Sequence, residues 1–194
     1  MISVVIATHE SERTLVPTLA ALVPGAVAGV VREVIIADAG SQDATAQVAD
    51  VAGCRFTMAP GPTGARLRAA VVLARAPWLL FLRPGTVPDA TWVDEAGRFV
   101  REAEFGSRTR QVGVFRPAPG GGARRPLMAE ALTLLTIALG GHPRPDQGLL
   151  IARSHYDSLG GHRADGAEPE RDFLRRIDRR QIVMLRSGAS MVAA

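Results

Sequence analysis

Apolar positions along the chain fall into short runs parted by polar turns. Residues 2–7, 33–37, 54–58 and 78–82 are rich in β-branched and aromatic side chains and too short for buried helices, so each predicts a strand. Between them the spacing changes to the helical period. Leu15, Leu19 and Leu22 share one face of a helix over 14–22, which Pro24 and Gly25 are expected to end. A second helix covers 42–52, with Ser41 as its N-cap and Asp43 in its first turn, and a third covers 65–75. Strand and helix thus alternate four times with short links, the pattern of a largely parallel sheet flanked by helices. The fourth strand, Trp78-Leu-Leu-Phe-Leu82, is apolar throughout, which suits a central position covered on both faces. It stops at Arg83-Pro-Gly-Thr86, where Pro84 ends pairing and Gly85 permits a tight turn.

Beyond Pro88 the rhythm changes. A helix is expected over 90–102 and a strand over 111–115. The Pro-, Gly- and Arg-rich stretch 117–126 reads as a mobile connection. A helix over 127–139, a strand over 148–152 and a short helix over 155–159 closed by Gly160-Gly161 follow. An arginine-rich helix over 170–179 and a last strand over 181–185 complete the chain. No internal repeat or second core shows, so one domain over 1–194 is expected.

Composition narrows the function. Apolar residues make up 47%, a globular share. The one cysteine, Cys54, excludes an internal disulfide framework and reads as a small buried strand residue. No secretory leader is read, and the apolar stretch 127–139 contains Glu130 and is too short to span a bilayer. The expectation is a cytoplasmic protein, with a peripheral contact to a membrane surface still open. Net charge is +4, and every basic residue is arginine, a side chain whose fork matches phosphate oxygens two at a time. Aromatic residues are few and do not interleave with the arginines, which argues against nucleic-acid binding.

Open α/β sheets bind ligands beyond the carboxyl ends of their strands. Three polar turns fall on that edge: Thr8-His9-Glu10, the turn from Asp38 to Asp43, and Arg83 to Thr86. Each alone is an ordinary turn or cap; together they mark a candidate site. No phosphate-binding P-loop and no glycine-rich dinucleotide fingerprint is present, and the four histidines lack metal-ligand spacing.

Several motifs resemble glycosyltransferase family 2. They are Ile2-Ser-Val-Val-Ile-Ala-Thr-His-Glu10, Glu33-Val-Ile-Ile-Ala-Asp-Ala-Gly-Ser-Gln-Asp43 and Trp78-Leu-Leu-Phe-Leu82 with Thr86. Asp146-Gln147 ahead of Gly148-Leu-Leu-Ile151, and Leu159-Gly-Gly161, look like the G-D-Q-x-x-F and L-G-G-F motifs of a short bacterial branch of that family. The resemblance covers nearly the whole chain. It implies a GT-A fold, Rossmann-like, with a nucleotide-binding half over 1–89 and an acceptor-binding half over 90–194. It also implies a nucleotide-sugar donor, best a UDP-sugar, held by Thr8, His9, Glu10 and Asp38. Asp146 and Gln147 would lie on the acceptor side; the acceptor could be a glycan, a lipid or a small molecule.

Two departures from the family pattern matter. The family carries an acidic D-x-D-like turn after the fourth strand, where magnesium or manganese bridges the donor diphosphate. Here Arg83-Pro84-Gly85-Thr86 stands there, with Gly85 at the carboxylate position, so no metal ligand is assigned. Arg83, with Arg66 from the third helix, is instead expected to meet the diphosphate. The family's base toward the acceptor hydroxyl corresponds to Glu170, with Pro169 in place of the preceding glutamate. The leading expectation is an inverting sugar transferase. The rival is a nucleotide-sugar-binding protein that has lost turnover.

Overall fold

The computed structural model describes residues 1–118 and 143–192; the helix expected over 127–139 lies outside them. The first half is β1 (Ile2–Thr8), α1 (Glu12–Val27), β2 (Val31–Asp38), α2 (Thr45–Val51), β3 (Arg55–Met58), α3 (Thr63–Leu73) and β4 (Trp78–Leu82). Next come β5 (Thr86–Pro88), α4 (Trp92–Phe105), β6 (Val112–Pro117) and β7 (Leu149–Ala152). The chain continues with α5 (Arg153–Ser158), α6 (Pro169–Arg176) and β8 (Ile182–Met191).

One eight-stranded sheet runs through both halves in the order β3-β2-β1-β4-β7-β6-β8-β5. Strands β3, β2, β1 and β4 pair in parallel, as the alternating pattern requires. Beyond β4 the sheet is mixed: β7 lies antiparallel to both β4 and β6, β6 is parallel to β8, and β5 is antiparallel to β8. β4 is buried along its whole length, as its uninterrupted apolar run predicts.

The period of two along the strands sorts the core into two layers. Ile2, Val4 and Ile6 of β1 with Trp78, Leu80 and Leu82 of β4 pack against α1 and α4. Val5, Leu79 and Phe81 face the other way, onto Leu67 and Val71 of α3 and Phe173 and Leu174 of α6. Tyr156, His162, Phe81 and Phe173 form an aromatic group on this second face. His162 follows Leu159-Gly-Gly161 where the resembled motif has phenylalanine. Its ring sits edge-on to Phe81 at 4.9 Å, and its Nδ1 meets the Tyr156 hydroxyl at 3.0 Å. Burial drives its pKa down to about 3.

Three local expectations are corrected. Pro24 and Gly25 do not end α1, which runs on to Val27. The indole of Trp92 in α4 lies where a Cβ on residue 25 would fall, 2.7 Å from it, so the helix is held there by tertiary packing. α2 begins at Thr45 rather than Gln42, and Ser41 does not cap it, because its hydroxyl is drawn to Asp38. The last strand reaches Met191 instead of 185, because its second half pairs with β5, a three-residue strand that carries no pattern of its own. Cys54 lies just before β3 and is half-buried. Among the described residues no helix is long and apolar enough to cross a membrane.

Candidate functional site

Parallel pairing puts the carboxyl ends of β2, β1 and β4 side by side. Thr8 is the register partner of Asp38, and Ile6 that of Leu82, one residue before Arg83. Asp38 organises the centre of this edge. Its carboxylate, fully buried, accepts from the Thr8 hydroxyl, the Gly40 and Ser41 amides and the Ser41 hydroxyl, each at 2.7 Å. Burial alone would raise its pKa, but these bonds stabilise the anion and hold it below the usual carboxylate value. Gly40, at φ 98°, lets the backbone fold back over the carboxylate.

The turn after β1 is clasped to the turn after β2. The Glu10 amide donates to Ser41 Oγ at 2.8 Å, and the Gln42 amide to Glu10 Oε1 at 2.6 Å. The Ser11 amide donates to Thr45 Oγ1 at 2.9 Å; Glu12 and the Asp43–Ala44 segment exchange two bonds of 3.0 Å. Glu10 holds φ 48°, a left-handed conformation uncommon outside glycine, which this clasp supports. His9 and Glu10 are exposed and form the rim of the edge.

Arg66 sits beneath it. Nη1 donates to the carbonyls of Thr8 (2.7 Å) and Ala37 (2.8 Å), and Nη2 to Thr63 Oγ1 (3.0 Å). The side chain is only 6% exposed. Burial and carbonyl bonding fix the guanidinium under the strand ends as a buttress, and the expected phosphate contact would have to be made from this held position.

Arg83 leaves β4 toward α6 and pairs with Glu170, which lies in the first turn of that helix. Nε donates to Oε2 at 2.6 Å, and Nη2 donates to the same oxygen. Burial opposes the charge on Arg83, but the bond and field of Glu170, with Asp146 and Glu168 nearby, raise its pKa. The side chain of Arg83 is 43% exposed and that of Glu170 18%. Asp146 is itself paired with Arg144. Gln147 is buried and bridges the Arg144 amide (2.7 Å) and the Phe115 carbonyl (2.8 Å), so it holds the backbone of this side instead of offering a free amide.

The turn between Arg83 and Thr86 is packed shut at Gly85. Its amide donates to Thr18 Oγ1 at 2.9 Å and its carbonyl accepts from Val192 at 2.9 Å. It has φ 89°, and a Cβ there would lie 2.6 Å from the Val192 carbonyl oxygen.

No protein-family profile matches the sequence, and no curated protein matches it. Solved structures do match the fold. S. aureus TarS superposes with a TM-score of 0.71 at 15% identity, over 98% of this chain and 60% of its own. A second TarS structure, in complex with UDP-GlcNAc, gives 0.71 at 16% identity. Glucosyl-3-phosphoglycerate synthase from Mycobacterium tuberculosis, in complex with Mn2+, UDP and glucosyl-3-phosphoglycerate, gives 0.69 at 21% identity, over 100% of this chain and 72% of its own.

The fold is that of the GT-A glycosyltransferases. The chain spans about three fifths of the length of the TarS structure it matches.

The synthase structure contains a manganese ion. At the turn after β4, where the resembled family carries a metal-binding carboxylate, Arg83-Pro84-Gly85-Thr86 supplies none. The turn after β4 offers a guanidinium and a glycine whose Cβ space is filled.

The strand-end geometry thus brings together Thr8, Asp38 and the rim of His9 and Glu10. It brings Arg83 onto Glu170, with Asp146 behind. Sequence reasoning missed Ser41, Thr45, Asp43 and Glu12 as the clasp. The only signal was a polar cluster, Ser41-Gln-Asp43, which reads equally well as a helix start.

Proposed function

We propose that this chain transfers a sugar from a nucleoside diphosphate sugar, UDP being the best-suited carrier, to an acceptor hydroxyl. The observation that carries the reading is a cation and a carboxylate, Arg83 and Glu170, in contact beside the strand ends of a GT-A fold. The nucleoside lies along the rim of Thr8, His9, Glu10 and the Asp38 turn, in the half over 1–89. The acceptor approaches from the half over 90–194, on the side of Asp146.

The acceptor oxygen bonds to the anomeric carbon while its proton passes to Glu170. The bond from that carbon to the diphosphate breaks, and its electron pair leaves with UDP. One displacement inverts the anomeric centre. Arg83 balances the charge that grows on the diphosphate, through two parallel N–H bonds.

A second reading, a nucleotide-sugar-binding protein without turnover, is favoured by the same contact, since Glu170 Oε2 already accepts two bonds from Arg83. The deciding experiment is UDP release from UDP-sugars incubated with a panel of hydroxyl acceptors. Turnover lost in Glu170→Gln, with UDP binding retained, supports the transferase. UDP binding without turnover for any donor supports the binding protein. No UDP binding overturns both.

A further inference from the structure

We propose that Arg83 and Glu170 mask each other until a donor diphosphate takes the guanidinium, and that this exchange of partners is what frees the carboxylate to act as base. The inference rests on the donor-binding reading above. A guanidinium committed to a carboxylate is not available to phosphate, and a carboxylate anchored by two N–H bonds is not free to turn toward an acceptor hydroxyl. Both conditions hold here at one atom, Glu170 Oε2.

The arrangement favours exchange over a permanent bond. Arg83 is the more exposed partner, at 43% against 18%, so an incoming anion reaches it before it reaches Glu170. The pair is only partly buried, and such pairs add little net stability, so opening it is not costly. A phosphate offers the fork the same two-point geometry the carboxylate offers, with more charge. Three carboxylates, Glu170, Asp146 and Glu168, act on this single guanidinium, while Asp146 and Glu168 each have another arginine partner, Arg144 and Arg171. Among the described residues only Glu170 is bonded to Arg83, so it is Glu170 that loses its partner when the diphosphate arrives. The donor thereby releases the side chain that meets the acceptor hydroxyl, and an acceptor arriving without donor meets a carboxylate still held by Arg83.

The test is calorimetric titration of UDP and of uridine into the wild type, Glu170→Gln, Glu170→Ala, Glu168→Gln, Arg83→Ala and the double variant Arg83→Ala/Glu170→Gln, each first checked for an unchanged melting transition. Removing the competing carboxylate is expected to tighten UDP by about fivefold or more in both Glu170 variants, while uridine affinity stays put. Glu168→Gln removes a nearby charge without removing the bond, and is expected to change UDP affinity less than about twofold. Arg83→Ala is expected to weaken UDP about tenfold and to erase the gain from Glu170→Gln in the double variant. UDP affinity equal or lower in both Glu170 variants overturns the masking while leaving the donor site standing. So does a gain shared by uridine, or a gain that survives without Arg83. UDP binding by none of the proteins overturns the donor-site reading itself, and the masking with it.

Discussion

The hydroxyl of Thr8 donates to Asp38 Oδ2 at 2.7 Å, locking the last residue of β1 to its register partner at the end of β2. The bond is one of four that converge on this buried carboxylate, so Asp38 shapes the whole edge of the candidate site. Asp38→Ala leaves four donors without their acceptor and is expected to cost about 1–3 kcal/mol of stability, with UDP binding weakened on the same scale. Thr8→Val removes one donor and keeps the shape; its expected cost is about 1 kcal/mol. Urea unfolding and UDP titration of both variants check this. An Asp38→Ala protein as stable as the wild type contradicts the assigned role.

Arg66 makes the complementary prediction from below. Arg66→Met keeps an apolar stem of similar length but removes the bonds to the Thr8 and Ala37 carbonyls. The expected loss is about 2 kcal/mol of stability, since bonds from a charged donor in a buried setting are the stronger kind. If Arg66 instead met phosphate directly, the variant would unfold at the same urea concentration and lose only UDP affinity.

Gly85→Asp restores an acidic residue at the position where the resembled family binds metal. Here it is expected to destabilise the protein by about 2 kcal/mol or more, because a side chain is forced into a left-handed conformation against the Val192 carbonyl. Manganese binding is not expected to appear, since Arg83 stays beside the new carboxylate and, among the described residues, no cluster of further ligands stands near. A thermal melt and a manganese titration measure the two effects, and micromolar manganese affinity in the variant is the contrary result.

His162 makes stability depend on pH. Its pKa falls from an ordinary 6.5 to about 3 on folding, because burial disfavours the charged ring. A depressed folded value means that its contribution is fully present above pH 6.5. It is lost progressively as pH falls from there toward 3, with a limiting slope of about 1.4 kcal/mol per pH unit. His162→Phe keeps the ring among Phe81, Tyr156 and Phe173 and removes the titration. Urea midpoints for wild type and variant between pH 7.5 and 4.5 are expected to diverge as pH falls, with the variant the flatter. Parallel curves would assign the pH dependence to other groups.

By itself the sequence determined what local period and turn chemistry can specify. The order of strands and helices in the first half follows from it, as does the fully buried β4, because an apolar run of five cannot face water on either side. The candidate edge follows as well, since Thr8 and Asp38 each end a strand in the parallel run and Arg83 follows directly on the end of β4. Tertiary structure decided the rest. α1 passes Pro24 and Gly25 because Trp92, from another helix, fills the space over the glycine. Ser41 turns from a helix cap into a ligand of Asp38, because the folded turn places it between that carboxylate and the Glu10 amide. β5 has no partner other than the second half of β8 among the described strands, and that half of β8 is held between β5 and β6. Arg83 and Glu170 lie 87 residues apart, and no spacing rule joins them. Period records which way a side chain faces within its own element; which distant side chain it meets is set by how the elements pack, and the proposed chemistry rests on such a meeting.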